Sequence, residues 1–417
     1  MNTLKATQRF ELAAVNVRTL ICLNLVIISF MDSFVMWNDL LPGKLFTYGL
    51  KALNILSLLY LMQRSRPDKY AWVLLYLPLT WFVIEEGSIP GSIQYFYSSS
   101  LPVVSFLLLR DDEQVFVVTT YLKIIAALFI PGIVIYVLIN VAALPHLTYL
   151  RDGKRVYENY FFLCYSLPHI HFRFFSVFDE PGVIGTLSAL VVFYYKELVS
   201  RRVYILYIIC GILSVSLFFI IVLFPMLYFS NIRSVTVAKR WKKVARFSMV
   251  LVLMYFSFIV ALNSMKDNPL IKTAVYNRFK WENGLIVGIM NNRDDVLPGF
   301  DAAFTNFSNR GGSAYWFGRG KGTTVDMFGA SALSYRISLF EKGALIMIYV
   351  VFLMLLMHPV RKNFLFSIIS VLFICMLLYQ RPFFYKIDYF TLIFVGVRFI
   401  PSYERKKENS TYSPQPV

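Results

Sequence analysis

Charge is scarce in this sequence. Only 16% of its 417 residues are Asp, Glu, Lys or Arg, against roughly 25% in soluble domains. Acid is the scarcer sign, with 24 Asp and Glu against 41 Lys and Arg. Cysteine is also rare: Cys22, Cys164, Cys210 and Cys375 are the whole set, and three of them lie within apolar runs. That spacing excludes a disulfide framework and a cysteine metal site. Four histidines, His146, His169, His171 and His358, leave little for metal chemistry. His169 and His171 alternate as two ligands on a strand would, but no third ligand stands near them. No internal repeat is visible, and the polar tail ENSTYSPQPV is the one low-complexity segment. The N-terminal apolar run is too long for a cleaved signal peptide and no small-residue cleavage site follows it.

What the chain has instead is hydrophobic length, with 58% apolar and 17% aromatic residues. The apolar residues fall in runs of the length a bilayer requires, because a crossing helix must satisfy every backbone polar group internally. This pattern predicts an all-α, polytopic integral membrane bundle of about twelve transmembrane helices. Spans are expected near 20–37, 45–62, 70–85, 92–109, 115–142, 181–195, 203–214, 216–230, 247–263, 334–357, 363–379 and 383–400. Two large loops, 143–180 and 264–333, separate them. The pair 203–214 and 216–230 is divided only by Ser214–Val215–Ser216, and merging it would invert everything that follows.

Basic residues decide the orientation. Lys5, Arg9 and Arg18, then Arg64, Arg66 and Lys69, then the cluster from Arg233 to Arg246, Arg361 and Lys362, and finally Arg405 to Lys407 fall on one side. The short loops opposite hold little more than Lys44, Glu85 and Glu86. The positive-inside rule therefore places both termini in the cytoplasm and the two large loops outside. The same placement explains the net charge of +17 without nucleic acid.

Three places carry residues that a membrane span does not need. The first loop ends HIHFRFFSVFDEPGVIG, which sets Arg173, Asp179, Glu180 and Pro181 just before an apolar run. Two readings fit: an ordinary interfacial loop, or a site facing a phosphate and a sugar. Arginine's planar fork suits phosphate, and a carboxylate beside it suits a base that orients a hydroxyl. The second place is loop 264–333, with Lys266, Lys272, Arg278, Lys280, Arg293, Arg310, Arg319 and Lys321 against six acids. Its tract NRGGSAYWFGRGKGTT fails the spacing of a nucleotide-binding P-loop. It is read either as a flexible loop or as a backbone nest for an anion, aided by Arg319 and Lys321. Trp281, Tyr315 and Trp316 suit sugar stacking and interfacial anchoring alike. The third place is SALSYRISLFEKGALIMI, where Arg336 and Glu341 enter a span. Arg336, Lys51 and Lys123 are expected to snorkel to the interface. Glu341, with its short stem, calls for a partner in the bundle or a role at its outer rim.

In layout and in these motifs the chain resembles the O-antigen polymerase (Wzy) family, which is related to the O-antigen ligases. RFFSVFDEPGVIG is similar to the family's entry into the helix after its first large loop. LSVSLFFI, from Leu213 to Ile220, resembles its helix break. Arg278–Phe279–Lys280–Trp281 resembles the arginine–tryptophan pair opening the second loop, and Gly318 to Gly322 followed by Glu341–Lys342–Gly343 resembles its closing motifs. Ligases usually carry a histidine where Ala332 stands, and the second loop here has none, which favours polymerase.

The resemblance implies glycan transfer from undecaprenyl diphosphate onto a lipid-linked repeat unit at the periplasmic face of the bacterial inner membrane. It implies no cofactor and no metal, and as partners the undecaprenyl-diphosphate-linked oligosaccharide, membrane lipids, a chain-length regulator and a flippase, with no nucleic acid. Under it Arg173, Arg278, Arg310 and Arg319 bind the diphosphate, while Glu180 or Asp179 acts as base and Glu341 positions the substrate. An O-antigen ligase and a lipid-linked oligosaccharide flippase remain as alternatives. The flippase would show charges inside the bundle.

Overall fold

The computed structural model describes residues 17–33, 35–39, 41–82, 92–93, 96–151, 155–168, 170–232, 249, 252–253, 255–289, 297–329, 334–357, 364–380 and 386–411. The basic segments 5–9, 233–246 and 361–362, together with His169, His358, Arg293 and Ala332, lie outside them.

The chain is mostly helical, at 75%. The first half contains α1 (Val17–Met31), α2 (Leu41–Arg64), α3 (Pro67–Tyr76), α4 (Leu101–Leu108) and α5 (Asp111–Val141). A three-stranded antiparallel meander follows, built from β1 (Leu147–Arg151), β2 (Arg155–Tyr160) and β3 (Cys164–Ser166). Then come α6 (Pro181–Tyr194), α7 (Arg201–Leu213) and α8 (Leu217–Ile232). The second half adds α9 (Pro269–Ala274), the hairpin β4 (Phe279–Glu282) and β5 (Leu285–Ile289), α10 (Phe300–Arg310), α11 (Gly312–Phe317), α12 (Thr323–Phe328) and α13 (Tyr335–Lys342). It closes with α14 (Ala344–Met357), α15 (Phe364–Gln380) and α16 (Ile387–Thr411).

The two sheets correct the expectation of an all-α chain. Both fall in the segments read as loops, and period-2 burial explains the first. Tyr157 and Tyr165 point to a cluster with Met36 and Phe175, while Tyr160 and Cys164 point the other way, against Ile135 of α5. A meander covered on both faces is what that alternation specifies.

Several expected spans are shorter than sequence suggests. By length and composition Leu45–Arg64 and Asp111–Val141 are long and apolar enough to cross a membrane. The pair α13 and α14 passes only if taken together across a 115° bend. Shorter apolar helices cover Val17–Met31, Pro181–Tyr194, Leu217–Leu227, Tyr255–Ser264 and Ser367–Tyr379. Local chemistry makes the breaks. Leu77–Phe82, which contains Pro78, tightens to a 3-10 helix after α3. Gly343 ends α13 with φ +84°, a conformation that favours glycine. The doubtful pair does separate, into α7 and α8, at Ser214–Val215–Ser216.

α6 is the axis of the bundle. Apart from Gly182 every one of its residues is buried, and a helix that is apolar all round belongs inside. Two close approaches fix it there. A Cβ on Gly185 would lie 2.3 Å from the Ser216 Cβ, and one on Gly396 would lie 2.6 Å from the Tyr194 ring. Tyrosine hydroxyls then tie the helices together: Tyr195 donates to the Leu392 carbonyl at 2.6 Å and Tyr207 to that of Leu122 at 2.9 Å. In the second half a small aromatic core of Leu297, Phe300, Phe307, Ile337 and Phe340 unites α10 to α13.

Candidate functional site

The C-terminal end of α1 and the N-terminal ends of α6 and α16 meet at one end of the bundle. There the Lys51 ammonium pairs with the Asp32 carboxylate at 2.9 Å, with both side chains largely buried. This corrects the expectation that Lys51 snorkels: it is held by an acid instead. Lys386 donates to the Asp32 carbonyl at 3.5 Å. Its ammonium lies within electrostatic reach of Asp388, Asp32 and Asp179, and of Lys51. Asp388, in the first turn of α16, is fully buried beside Lys386 and the amides of its own turn. Three carboxylates thus face two ammonium groups. If all are ionised, one negative charge is left over, and it can be met by a proton taken from a hydroxyl.

Of the residues singled out in the first loop, Asp179 belongs to this cluster. The segment that carries it is fixed from three sides. Met36 donates its amide to the Val177 carbonyl at 2.9 Å, and Val35 bridges Phe178. The buried Tyr157 hydroxyl donates to the Asp179 carbonyl at 3.0 Å. Glu180 follows as the N-cap of α6, with extended φ −141° and ψ 139° and Pro181 in the first turn. Proline is favoured there because its missing N–H is one the helix start would leave unbonded. The chain therefore turns sharply between two adjacent carboxylates, one buried in the charge cluster and one half-buried at the helix mouth.

Arg173 joins the two motifs read separately in the sequence. Its Nε donates to the Ser214 carbonyl at 3.1 Å, and the next amide, of Phe174, donates to the Leu213 carbonyl at 3.0 Å. The guanidinium thus caps the C-terminal carbonyls of α7 at the helix break, a position that suits a cation.

The second-loop residues gather elsewhere. Arg278 stands half-buried just before β4, and the desolvation lowers its pKa from the ordinary arginine value. No carboxylate pairs with its guanidinium among the described residues. Beside it Tyr276 and Trp281 stack at 4.3 Å, and the indole donates to the Tyr276 carbonyl. Arg319 is exposed and lies 4.9 Å over the Phe340 ring. Arg310 is exposed in the last turn of α10. Arg336, expected to snorkel, instead pairs with Asp301 at 2.6 Å and covers Phe304 at 4.5 Å.

Glu341 has a local task. Its Oε1 accepts from the Thr324 amide at 3.2 Å and from the Thr324 hydroxyl, so the carboxylate sits over the first turn of α12. Gly318 and Gly343 let the two strands of chain touch: a Cβ on Gly318 would lie 2.2 Å from the Glu341 carbonyl oxygen. Gly320 donates its amide to that same oxygen at 2.9 Å. At these amides the acceptors are Glu341's own oxygens, in place of an external anion. The glycine motif and the Glu-Lys-Gly motif are thus brought together in space.

Sequence reading missed Asp32, Lys386 and Asp388. The signal was present, because all three are ionisable residues inside expected spans, where charge is costly and marks function. Around the first sheet, Glu158 faces His171 at 3.5 Å and His146 at 3.9 Å, and accepts from the Tyr160 hydroxyl at 2.7 Å. Ser166 Oγ lies 3.0 Å from the same His171 Nδ1 that faces Glu158. A relay needs base and nucleophile on opposite ring nitrogens, so this is not a serine triad. No group of three metal-ligating side chains is found among the described residues. No family model, no curated protein and no solved structure matches the chain.

Proposed function

We propose that this chain is a multi-pass inner-membrane glycosyltransferase of the O-antigen polymerase kind, with about twelve spans, cytoplasmic termini and periplasmic loops at 143–180 and 264–333. The observation that carries the reading is the Asp179–Glu180–Pro181 turn. It sets two carboxylates at the mouth of the central helix α6, one of them inside a cluster of three acids and two lysines. Charge distribution along α1 supports the membrane placement. Arg18 pairs with Glu113 at one end and Asp32 with Lys51 at the other. Thirteen residues lie between Arg18 and Asp32, and the fourteen rises from one to the other span about 21 Å of mostly apolar helix.

In this reading a hydroxyl of the acceptor sugar attacks the anomeric carbon of the donor glycan. Its proton passes to Glu180 or Asp179, and the bond from that carbon to the diphosphate breaks. Undecaprenyl diphosphate leaves with the electron pair, and cationic side chains stabilise the charge that develops. Arg278, half-buried and with no carboxylate partner among the described residues, is assigned this role together with Arg173, Arg310 and Arg319. The second loop would have to bring Arg278, Arg310 and Arg319 to the substrate. Glu341 acts at one remove, by holding the glycine segment next to Arg319.

The test is a gel of surface polysaccharide from a strain lacking this protein. It is complemented with the native chain, Arg173→Ala, Arg278→Ala or Glu180→Gln at matched membrane levels. A deletion that leaves lipid A-core capped by one repeat unit, with the ladder restored by native protein alone, supports the reading. Loss of the capped unit as well overturns it.

One observation favours a second reading. Lys386 and Asp388 place charge inside the helical bundle, as a proton-coupled flippase for the same lipid-linked sugar would require. That alternative predicts the loss of the capped unit.

A further inference from the structure

The turn joining β2 to β3 is built from residues that its geometry disfavours. Phe161 and Phe162 both have positive φ, 56° and 60°. The Leu163 amide closes the turn on the Tyr160 carbonyl at 3.1 Å. Two central residues with positive φ are the signature of a tight hairpin that normally takes Asn-Gly, and a bulky residue in that region is an outlier. The surroundings hold the turn in place: Asn159 Oδ1 accepts from the Phe162 amide at 2.9 Å, and the Trp37 indole donates to the Phe162 carbonyl at 2.6 Å. Yet the turn leaves much of both phenylalanines uncovered. Phe161 is 60% exposed and Phe162 44%.

The level of the turn along α5 shows what covers those rings. A Cβ on Gly132 would lie 3.4 Å from the Leu163 carbonyl oxygen, so the turn passes beside Gly132. A hydrocarbon core of about 30 Å takes about 20 helical residues. Counted from Val115, the first apolar residue after the acidic first turn, it ends near Val134, level with the turn. The side chains that α5 exposes at this level, Ile130 and Val134, are apolar. Trp37, Tyr136 and Tyr160 surround the turn, the residue types that collect at membrane interfaces.

We propose that the Phe161–Phe162 turn inserts into the hydrocarbon boundary of the outer leaflet and anchors the first sheet to the bilayer. Acyl chains of the lipid are its partner. The anchor matters for the site because β2 also carries Tyr157, whose hydroxyl holds the Asp179 carbonyl. Lipid contact at the turn thus sets the depth of the acidic pair. The proposal rests on the membrane placement argued above, though not on the sugar chemistry.

Nitroxide labels at Phe161→Cys, Ile130→Cys and Leu150→Cys in the full chain, reconstituted in phosphatidylglycerol–phosphatidylethanolamine liposomes, test it. The native chain labelled in parallel supplies the background from its own cysteines. Each label's collision rates with molecular oxygen and with a water-soluble nickel chelate are compared. Expected is an oxygen-to-nickel ratio at position 161 several-fold above that at 150, toward the far end of the sheet, and approaching that at 130. A low ratio at 161 with a high one at 130 overturns the anchor and leaves the membrane bundle standing. Low ratios at both overturn the membrane placement itself.

Discussion

Tyr157 hydroxyl donates to the backbone carbonyl of Asp179 at 3.0 Å, with the tyrosine fully buried. A carbonyl held this way fixes the chain one residue before the helix cap, so the sheet in the first loop determines where the Asp179 and Glu180 carboxylates stand. The sheet is part of the site's scaffold and not an ornament on a loop.

Removing that hydroxyl isolates its effect. Tyr157→Phe keeps the ring packed against Met36 and Phe175 but leaves a carbonyl without its donor. The expected loss is about 1–3 kcal/mol, read as a lower midpoint of thermal unfolding in detergent. If Asp179 and Glu180 serve the reaction, the polysaccharide ladder should also shorten at protein levels matched to native. An unchanged midpoint would show that the carbonyl finds water instead.

The Lys51–Asp32 pair makes a second prediction. Because both side chains are largely buried, Lys51→Met takes the salt-bridge partner from the Asp32 carboxylate and leaves Lys386 as the cation within its electrostatic reach. Breaking a buried pair from one side costs about 3–5 kcal/mol. The double variant Lys51→Met with Asp32→Leu removes both charges and should recover most of that loss. Recovered stability without recovered activity would assign the cluster to function. Recovery of both would make it structural.

That cluster also marks where the sequence stopped being legible. Helix positions were readable because apolar runs and their breakers are local: the interruption at Ser214–Ser216 and the entry at Pro181 stand where the sequence put them. Asp179 was visible from its motif. Its companions Asp32, Lys51, Lys386 and Asp388 come from three other segments, as much as 356 residues apart (Asp32 to Asp388), and no local pattern announces that they meet. The sheets were missed for another reason. Their strands are only three to six residues long, too short for alternation to stand out in a chain this rich in tyrosine and phenylalanine.

Cys164 tests the packing of that first sheet directly. Burial between β3 and α5 pushes its thiol up to about 12. Since the thiolate is the reacting species, only on the order of 1 in 10,000 molecules carries it at pH 8. Maleimide should therefore label position 164 far more slowly than an exposed cysteine, and the rate should rise sharply where the protein unfolds. Fast labelling in the native state would mean that the sheet lifts off α5.

Gly185 should tolerate no side chain while Ser216 keeps its own. The Cβ of Gly185→Ala would meet the Ser216 Cβ at 2.3 Å, and the break there is held by Arg173 and Phe174. Overpacking of this kind costs about 1–3 kcal/mol. Ser216→Gly removes the colliding atoms, so the double variant should be more stable than Gly185→Ala alone, a coupling that appears only between residues in contact. Additive effects would place the two helices farther apart.

Glu341 separates a cap from a catalyst. Its Oε1 accepts from the Thr324 amide and hydroxyl at the start of α12, a bond that needs an oxygen but not a charge. Glu341→Gln retains the acceptor, so as a cap it should leave both folding and polysaccharide length near native. Glu341→Ala removes the acceptor and should cost about 0.5–2 kcal/mol, as the loss of an N-cap does. It should also loosen the start of α12 at Thr324, while the backbone carbonyl of residue 341 keeps its bond to the Gly320 amide. Proteolysis of the 311–329 region in the native protein would detect that loosening. If glutamine instead abolishes the ladder while the midpoint and the protease pattern stay native, the negative charge itself is required. Glu341 would then have a role beyond capping α12, as the proposal holds for Asp179 and Glu180.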